Sequence, residues 1–156
     1  MADRAHWFFA FCLGVYPAGA MANDATLPSA LHCLALNVYH EARGEPERAQ
    51  AAVAHVVLNR VASRRFPPTV CEVVRQGGER RKFRCQFSWF CDGRSDRPFE
   101  RRAWAKATTI AARALLGFSS DPTGGALWYH AHRVNPRWAN RMTVSHADRA
   151  HIFYRP

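Results

Sequence analysis

Two successive runs of apolar residues keep helical spacing in the first half of this chain. Leu31, Leu34, Ala35 and Val38 form one stripe, and Ala49, Ala52, Val53, Val56, Val57 and Val61 form a second. Thr26-Leu27-Pro28-Ser29 opens the first run. Gly44 and Pro46 close it and start the next, with Gly just past an end and Pro just inside a beginning. The spacing predicts two packed helices, the second over residues 47–63 and stopped by Phe66-Pro67-Pro68. Thr69 is placed to cap a short helix through Val74, and Gln76-Gly77-Gly78 with the basic stretch behind it predicts a surface loop. A further helix is expected over residues 99–116, with Trp104, Ala107, Thr108, Ala111, Ala112 and Leu115 on its packed side and Gly117 as its stop. Beyond it, Asp121-Pro122-Thr123-Gly124-Gly125 is turn chemistry, and residues 126–130 and 150–154 read as short strands. Helices first and a small sheet afterwards predict an α+β domain rather than alternating βαβ units. No repeat, low-complexity tract or long linker divides the chain, and 156 residues suit one domain.

The N-terminal pattern is of another kind. Met1-Ala2-Asp3-Arg4 is followed by the apolar run from Trp7 to Val15, and Ala20-Met21-Ala22 supplies a small-x-small cleavage pattern. A signal peptide over residues 1–22 is therefore expected, with the mature domain over 23–156, exported to the periplasm or the cell wall. No later run approaches the length of a membrane span, so a soluble mature protein is expected, a monomer that touches the envelope peripherally at most. Loss of Cys12 with the leader leaves Cys33, Cys71, Cys85 and Cys91, which can pair in three ways in an oxidising compartment, and at least one disulfide is expected. Cys85 and Cys91 lack the two-residue spacing of structural zinc sites, and neither a metal nor another cofactor is expected. The formal net charge of +10 draws the protein to polyanions. With a leader, these are not nucleic acid but envelope ones: peptidoglycan, with its lactyl and peptide carboxylates, or anionic lipid surfaces.

Candidate chemistry centres on Glu41. It follows Leu34 by seven residues, about 20° from the same axial line, so a carboxylate ends an apolar stripe. Burial there would raise its pKa, as a general acid working near neutral pH requires; the competing expectation is a solvated helix end. Glu45, between Gly44 and Pro46, reads as structural at the start of the second helix, while Arg43 either orients a carboxylate or sits exposed in the turn. His40-Glu41 does not extend to the His-Glu-x-x-His metal signature, because position 44 is Gly. In Gln86-Phe87-Ser88-Trp89, polar and aromatic residues alternate over a stretch expected to be extended, with Gln86 and Ser88 on one face and Phe87 and Trp89 on the other.

From Leu31 to Tyr154 the chain resembles the SleB-type cell wall hydrolases, which include spore cortex-lytic enzymes. The resemblance is carried by Ala35-Leu36-Asn37-Val38-Tyr39-His40-Glu41-Ala42-Arg43-Gly44-Glu45, Ala52-Val53-Ala54-His55-Val56-Val57-Leu58-Asn59-Arg60-Val61 and Phe66-Pro67-Pro68-Thr69-Val70-Cys71. It continues through Cys85-Gln86-Phe87-Ser88-Trp89, Asp121-Pro122-Thr123-Gly124-Gly125-Ala126, Tyr129-His130-Ala131, Pro136-Arg137-Trp138 and His151-Ile152-Phe153-Tyr154. It implies a single lysozyme-like α+β domain, mainly helical with a small antiparallel sheet, that cuts peptidoglycan glycan strands between N-acetylmuramic acid and N-acetylglucosamine. The essential Glu of the family falls on Glu41, and the implied reaction is lytic transglycosylation. Gln86, Ser88, Trp89, Tyr129, His130 and Trp138 are implied to bind the glycan, the aromatic rings facing sugar C–H surfaces. Three alternatives stay open at this point: a muramidase using Asp92, Asp96 or Asp121 as second carboxylate, a metal-dependent hydrolase, and a basic envelope-binding module without activity.

Overall fold

A computed structural model describes residues 26–78 and 84–156; the expected leader and the Arg80-Arg81-Lys82 run lie outside the described residues. Thr26 caps helix α1 (Leu27–Ala42) by accepting the Ser29 N–H on its hydroxyl, with Pro28 in the first turn. After the turn through Gly44, Pro46 leads into α2 (Glu47–Ala62). The Thr69 hydroxyl accepts the Glu72 N–H at the head of α3 (Val70–Arg75) and donates to the Glu72 carboxylate at 2.7 Å, a reciprocal cap. Helix α4 (Arg101–Leu115) starts two residues later than its sequence suggests. The Phe99 and Glu100 N–H groups donate to the Tyr39 hydroxyl, at 3.3 and 3.2 Å, which holds that entry segment against α1. Its inner face is Ala107, Ile110, Ala111 and Ala114, turned slightly from the expected stripe because Ala112 is only half-buried. Gly117 ends it in the left-handed region at φ +76°, as expected.

The main core gathers Leu34, Ala35, Val38 and Tyr39 of α1 with Val57 of α2, Val73 of α3 and Ile110 of α4. Two disulfides stitch its edges. Cys33–Cys71 ties α1 to α3, and Cys85–Cys91 closes a short loop that ends in a 3-10 helix, Ser88–Cys91. That helix corrects the expected extended run over residues 86–89. The alternation survives as burial, with Phe87 and Trp89 buried and Gln86 and Ser88 exposed, but the backbone coils from Ser88 onward so that the six-residue disulfide loop can close.

Strands β1 (Trp128–Ala131), β2 (Thr143–Ala147) and β3 (His151–Arg155) form an antiparallel sheet in the order β1-β3-β2, with Tyr129 opposite Phe153 and Val144 opposite Tyr154. The sequence pattern does not show β2, whose residues are half-buried at most. A smaller core of Ala52, Val56, Ala126 and Phe153 joins α2 to the sheet, and Tyr129 packs against both cores at the seam between helices and sheet. Among the described residues no helix is long and apolar enough to cross a membrane. The α+β architecture expected from the order of elements is the one observed.

Candidate active site

At the seam lies a cleft of about 440 Å³, lined by the last turns of α1 and α2, the Cys85–Trp89 segment, β1 and the turn after it, and His151 of β3. Glu41 enters it from the last turn of α1. Tyr129 donates its hydroxyl to Glu41 Oε2 at 3.1 Å. Burial raises the Glu41 pKa above its ordinary 4.5, with the Tyr129 hydrogen bond and the Arg60 charge pulling the other way, so the carboxyl is biased toward its neutral form. The Tyr129 phenol is itself held well above its usual range by burial and by the adjoining Glu41, and it stays a donor.

Arg60 was not singled out from the sequence, yet among the described residues it is the largest fully buried side chain. Its Nε donates to the Leu127 carbonyl at 2.8 Å, and its guanidinium lies over the Phe66 and Phe87 rings, 5.2 and 5.4 Å from their centroids. With the Gln86 amide oxygen turned toward it, Nη1 and Nη2 donate at 3.3 and 3.1 Å. Desolvation lowers the Arg60 pKa to about 10, partly offset by Tyr129 and Glu41, so it remains a cation. A fixed positive charge thus stands beside a carboxyl that can lose a proton.

The expected glycan-binding residues divide. Gln86, Ser88, Trp89, Tyr129 and His130 all line the cleft. Trp89 is a wall more than an open platform: His40 stacks on it at 4.5 Å, and its indole N–H donates to Asn37 Oδ1 at 3.3 Å. His40 is fixed in turn by Nε2–H donation to the Asp96 carbonyl at 3.0 Å. His130 donates from Nδ1 to the Ala131 carbonyl at 3.0 Å, and its Nε2 pairs with the Tyr154 hydroxyl at 2.8 Å, which fixes the ring at the wall. Trp138 does not line the cleft; it packs edge-on against His130 and Tyr154 and supports the wall from behind.

Glu41 is the one carboxylate among the described lining residues. Asp121 is turned elsewhere, accepting from the Thr123 and Gly125 backbone N–H, the Thr123 hydroxyl and Asn59 Nδ2. Burial alone would raise its pKa, but those hydrogen bonds bring it below the ordinary value, as befits a turn anchor. Asp92 caps the Arg94 N–H and, like Asp96, does not reach the cleft. Arg43 pairs with Glu100 at 2.8 Å over the Tyr39 ring and holds the α4 entry rather than a catalytic group. Glu45 accepts Gln50 Nε2 on its carbonyl at 2.8 Å, a helix-start role. His151, buried at the cleft wall with its ring edge-on to Tyr129 at 5.1 Å, is kept below its usual pKa chiefly by desolvation. Among the described residues no three His, Cys, Asp or Glu side chains are gathered as a metal ion would require.

Comparison with known proteins gives a family and a fold. Residues 44–154 match the model of the Cell Wall Hydrolase family, beginning three residues after Glu41. A spore cortex-lytic enzyme of Oceanobacillus iheyensis is 37% identical over 115 residues, covering 72% of this chain and 34% of that protein. One from Bacillus cereus is 37% identical over the same length, covering 72% of this chain and 36% of that protein. The chain thus spans about a third of the length of the curated relatives it matches. Among solved structures, the catalytic domain of the Bacillus cereus SleB protein superposes with a TM-score of 0.67 at 30% identity, covering 88% of this chain and 100% of that one. The catalytic domain of the germination-specific lytic transglycosylase SleB from Bacillus anthracis gives 0.65 at 32% identity, covering 90% and 100%.

Proposed function

Because this chain belongs to the cell wall hydrolase family, we propose that it is an exported enzyme that cuts peptidoglycan glycan strands between N-acetylmuramic acid and N-acetylglucosamine by lytic transglycosylation, with Glu41 as acid and then base. The neutral Glu41 carboxyl gives its proton to the glycosidic oxygen as the C1–O bond breaks, and the N-acetylglucosamine side leaves with a free 4-hydroxyl. The resulting carboxylate takes the proton of the muramyl C6 hydroxyl, whose oxygen closes on C1 to form the 1,6-anhydro ring. Glu41 ends protonated, and no water is consumed. One carboxyl serves both steps because its charge after the first is the one needed for the second. Tyr129 orients it, and the Arg60 guanidinium stabilises the carboxylate between the two proton transfers.

The observation that carries this reading is the single carboxylate, biased toward neutrality, in a cleft where no other described residue supplies one. A glycosidase that activates water or forms a glycosyl-enzyme would need a second carboxylate about 5 to 9.5 Å away. Gln86 and Ser88 present amide and hydroxyl groups to sugar substituents, and Trp89 and Tyr129 line the path of the rings. Peptidoglycan is then the partner, reached through the leader over residues 1–22, and the mature protein should begin at Asn23. The names of the relatives, a lytic transglycosylase among them, support the same chemistry.

Zymography on peptidoglycan tests the reading. The native protein should clear the gel with or without EDTA, and Glu41→Gln should not. Clearing lost to the chelator would favour a metal-dependent hydrolase, and no clearing by the native protein would favour a binding module.

A further inference from the structure

The charge lining the cleft is unbalanced. Two arginines and three histidines face the single Glu41 carboxylate among the described lining residues. Arg60 is already engaged by the Leu127 carbonyl, Gln86 and the field of Glu41. Arg133 is different: it is exposed, lines the cleft, and makes no hydrogen bond or ion pair with any described residue. The backbone around it is pinned on both sides. Val134 N–H donates to the Ala131 carbonyl at 3.0 Å, His132 N–H to the Ala150 carbonyl at 3.2 Å, and the His132 ring Nε2 to the Asp148 carbonyl at 2.8 Å. The turn therefore presents one uncommitted guanidinium from a fixed base.

Its place relative to the chemistry follows from a chain of contacts. Tyr129 touches Glu41, His151 lies against Tyr129, and the Arg133 charge acts on His151. Arg133 thus lines the sheet side of the same cleft, with Tyr129 and His151. A guanidinium with no counter-ion among the described residues suits a ligand that brings one. On the glycan proposed above, the anionic groups are the carboxylates of the muramyl branch, which hangs from the sugar adjoining the bond to be cut. Guanidinium and carboxylate pair in a planar, two-point geometry.

We infer that Arg133 is a specificity-determining residue that pairs with a muramyl-branch carboxylate, so that the cleft selects anionic peptidoglycan over glycan whose carboxylates have been neutralised. This rests on the glycan-cutting reading of the site, and its test is chosen to be independent of turnover. In a Glu41→Gln background, co-sedimentation with purified sacculi measures binding alone. Binding to native sacculi should exceed binding to sacculi amidated with carbodiimide and ammonia, through the net charge of +10 as a whole and through Arg133 in particular. Adding Arg133→Gln should lower that ratio by about twofold to fivefold, the range an exposed ion pair supplies. Arg137→Gln, which removes an equal charge from an exposed position outside the cleft, should leave it unchanged. Amidase-stripped strands lose the stem carboxylates and expose the lactyl carboxylate that the first amide bond masks: Arg133-dependent binding lost on them assigns the stem, and binding kept on them shows that the freed lactyl group is accepted as well. An equal affinity for native and amidated sacculi, a ratio unchanged by Arg133→Gln, or one equally reduced by Arg137→Gln would overturn the inference. Failure of the native protein, with Glu41 intact, to cleave sacculi while the Arg133-dependent ratio holds would overturn the proposed reaction instead.

Discussion

Glu41 sits where three influences oppose one another: burial favours its neutral form, while the Tyr129 hydroxyl and the Arg60 charge favour the carboxylate. Replacing Glu41 by Gln removes the proposed proton donor and should lower kcat by about 10²- to 10⁴-fold. The same change should raise Tm at pH 7. A carboxyl whose folded pKa lies above its unfolded value contributes stability that is complete below the unfolded value and is lost as pH rises through the folded one. The gain from Gln should therefore close as pH falls through the ordinary value of 4.5. Tyr129→Phe removes a bond to the charged form, so the Glu41 pKa should rise further and the alkaline limb of the pH–rate profile should move to higher pH. Movement toward lower pH would contradict the pairing. Glu41 was legible in the sequence because a carboxylate ending an apolar stripe is conspicuous. Arg60 was not, because a cation in the last turn of a helix reads as a solvated partner of the dipole. Its burial depends on the Phe66 and Phe87 rings and the Leu127 carbonyl, which no local pattern brings together.

Among the elements, the helices and their caps were readable because apolar spacing and terminal residues agree: Thr26, Thr69 and Gly117 do what their positions suggest. The sheet was readable only in part. β1 and β3 carry aromatic and apolar residues, whereas β2 is a largely exposed edge whose Thr-Val-Ser-His run has no buried stripe to betray it. The Cys85–Trp89 segment was assigned the right faces but the wrong backbone, since alternation cannot distinguish a strand from a short coil closed by a disulfide. The disulfide pairing itself was open among three arrangements. The two observed pairs carry different predictions. Cys33–Cys71 closes a separation of 38 residues, and removing it should cost about 4 kcal/mol in a urea melt by loop-closure entropy. Cys85–Cys91 closes only six, worth about 2 kcal/mol by the same relation, but it carries Gln86, Ser88 and Trp89. The double serine variant at 85 and 91 should therefore lose more kcat/KM than the variant at 33 and 71 when both are assayed well below their unfolding transitions. Equal losses would show that the loop shape does not matter to the cleft.

Across the whole molecule, a formal charge of +10 and a cleft with one carboxylate act in the same direction. Binding to anionic sacculi should weaken as salt rises from about 0.05 to 0.5 M, since exposed charges are screened over a few ångströms at the upper end. The cleft lies where the helical layer and the sheet meet, and Tyr129 belongs to both cores, so the site depends on their docking more than on either part. That docking could not be read from local pattern, although the family resemblance pointed to its result. The chain superposes on the whole of two SleB catalytic domains while spanning about a third of the curated spore cortex-lytic relatives. The likeness is therefore one of catalytic domains. The most direct test is mass spectrometry of the muropeptides released from purified peptidoglycan by the native protein and by Glu41→Gln. Anhydro-muramyl ends from the native protein, one water lighter than reducing ends, and no release by the variant are expected. Reducing ends, or release undiminished in the variant, would contradict a single buried carboxyl acting as both acid and base.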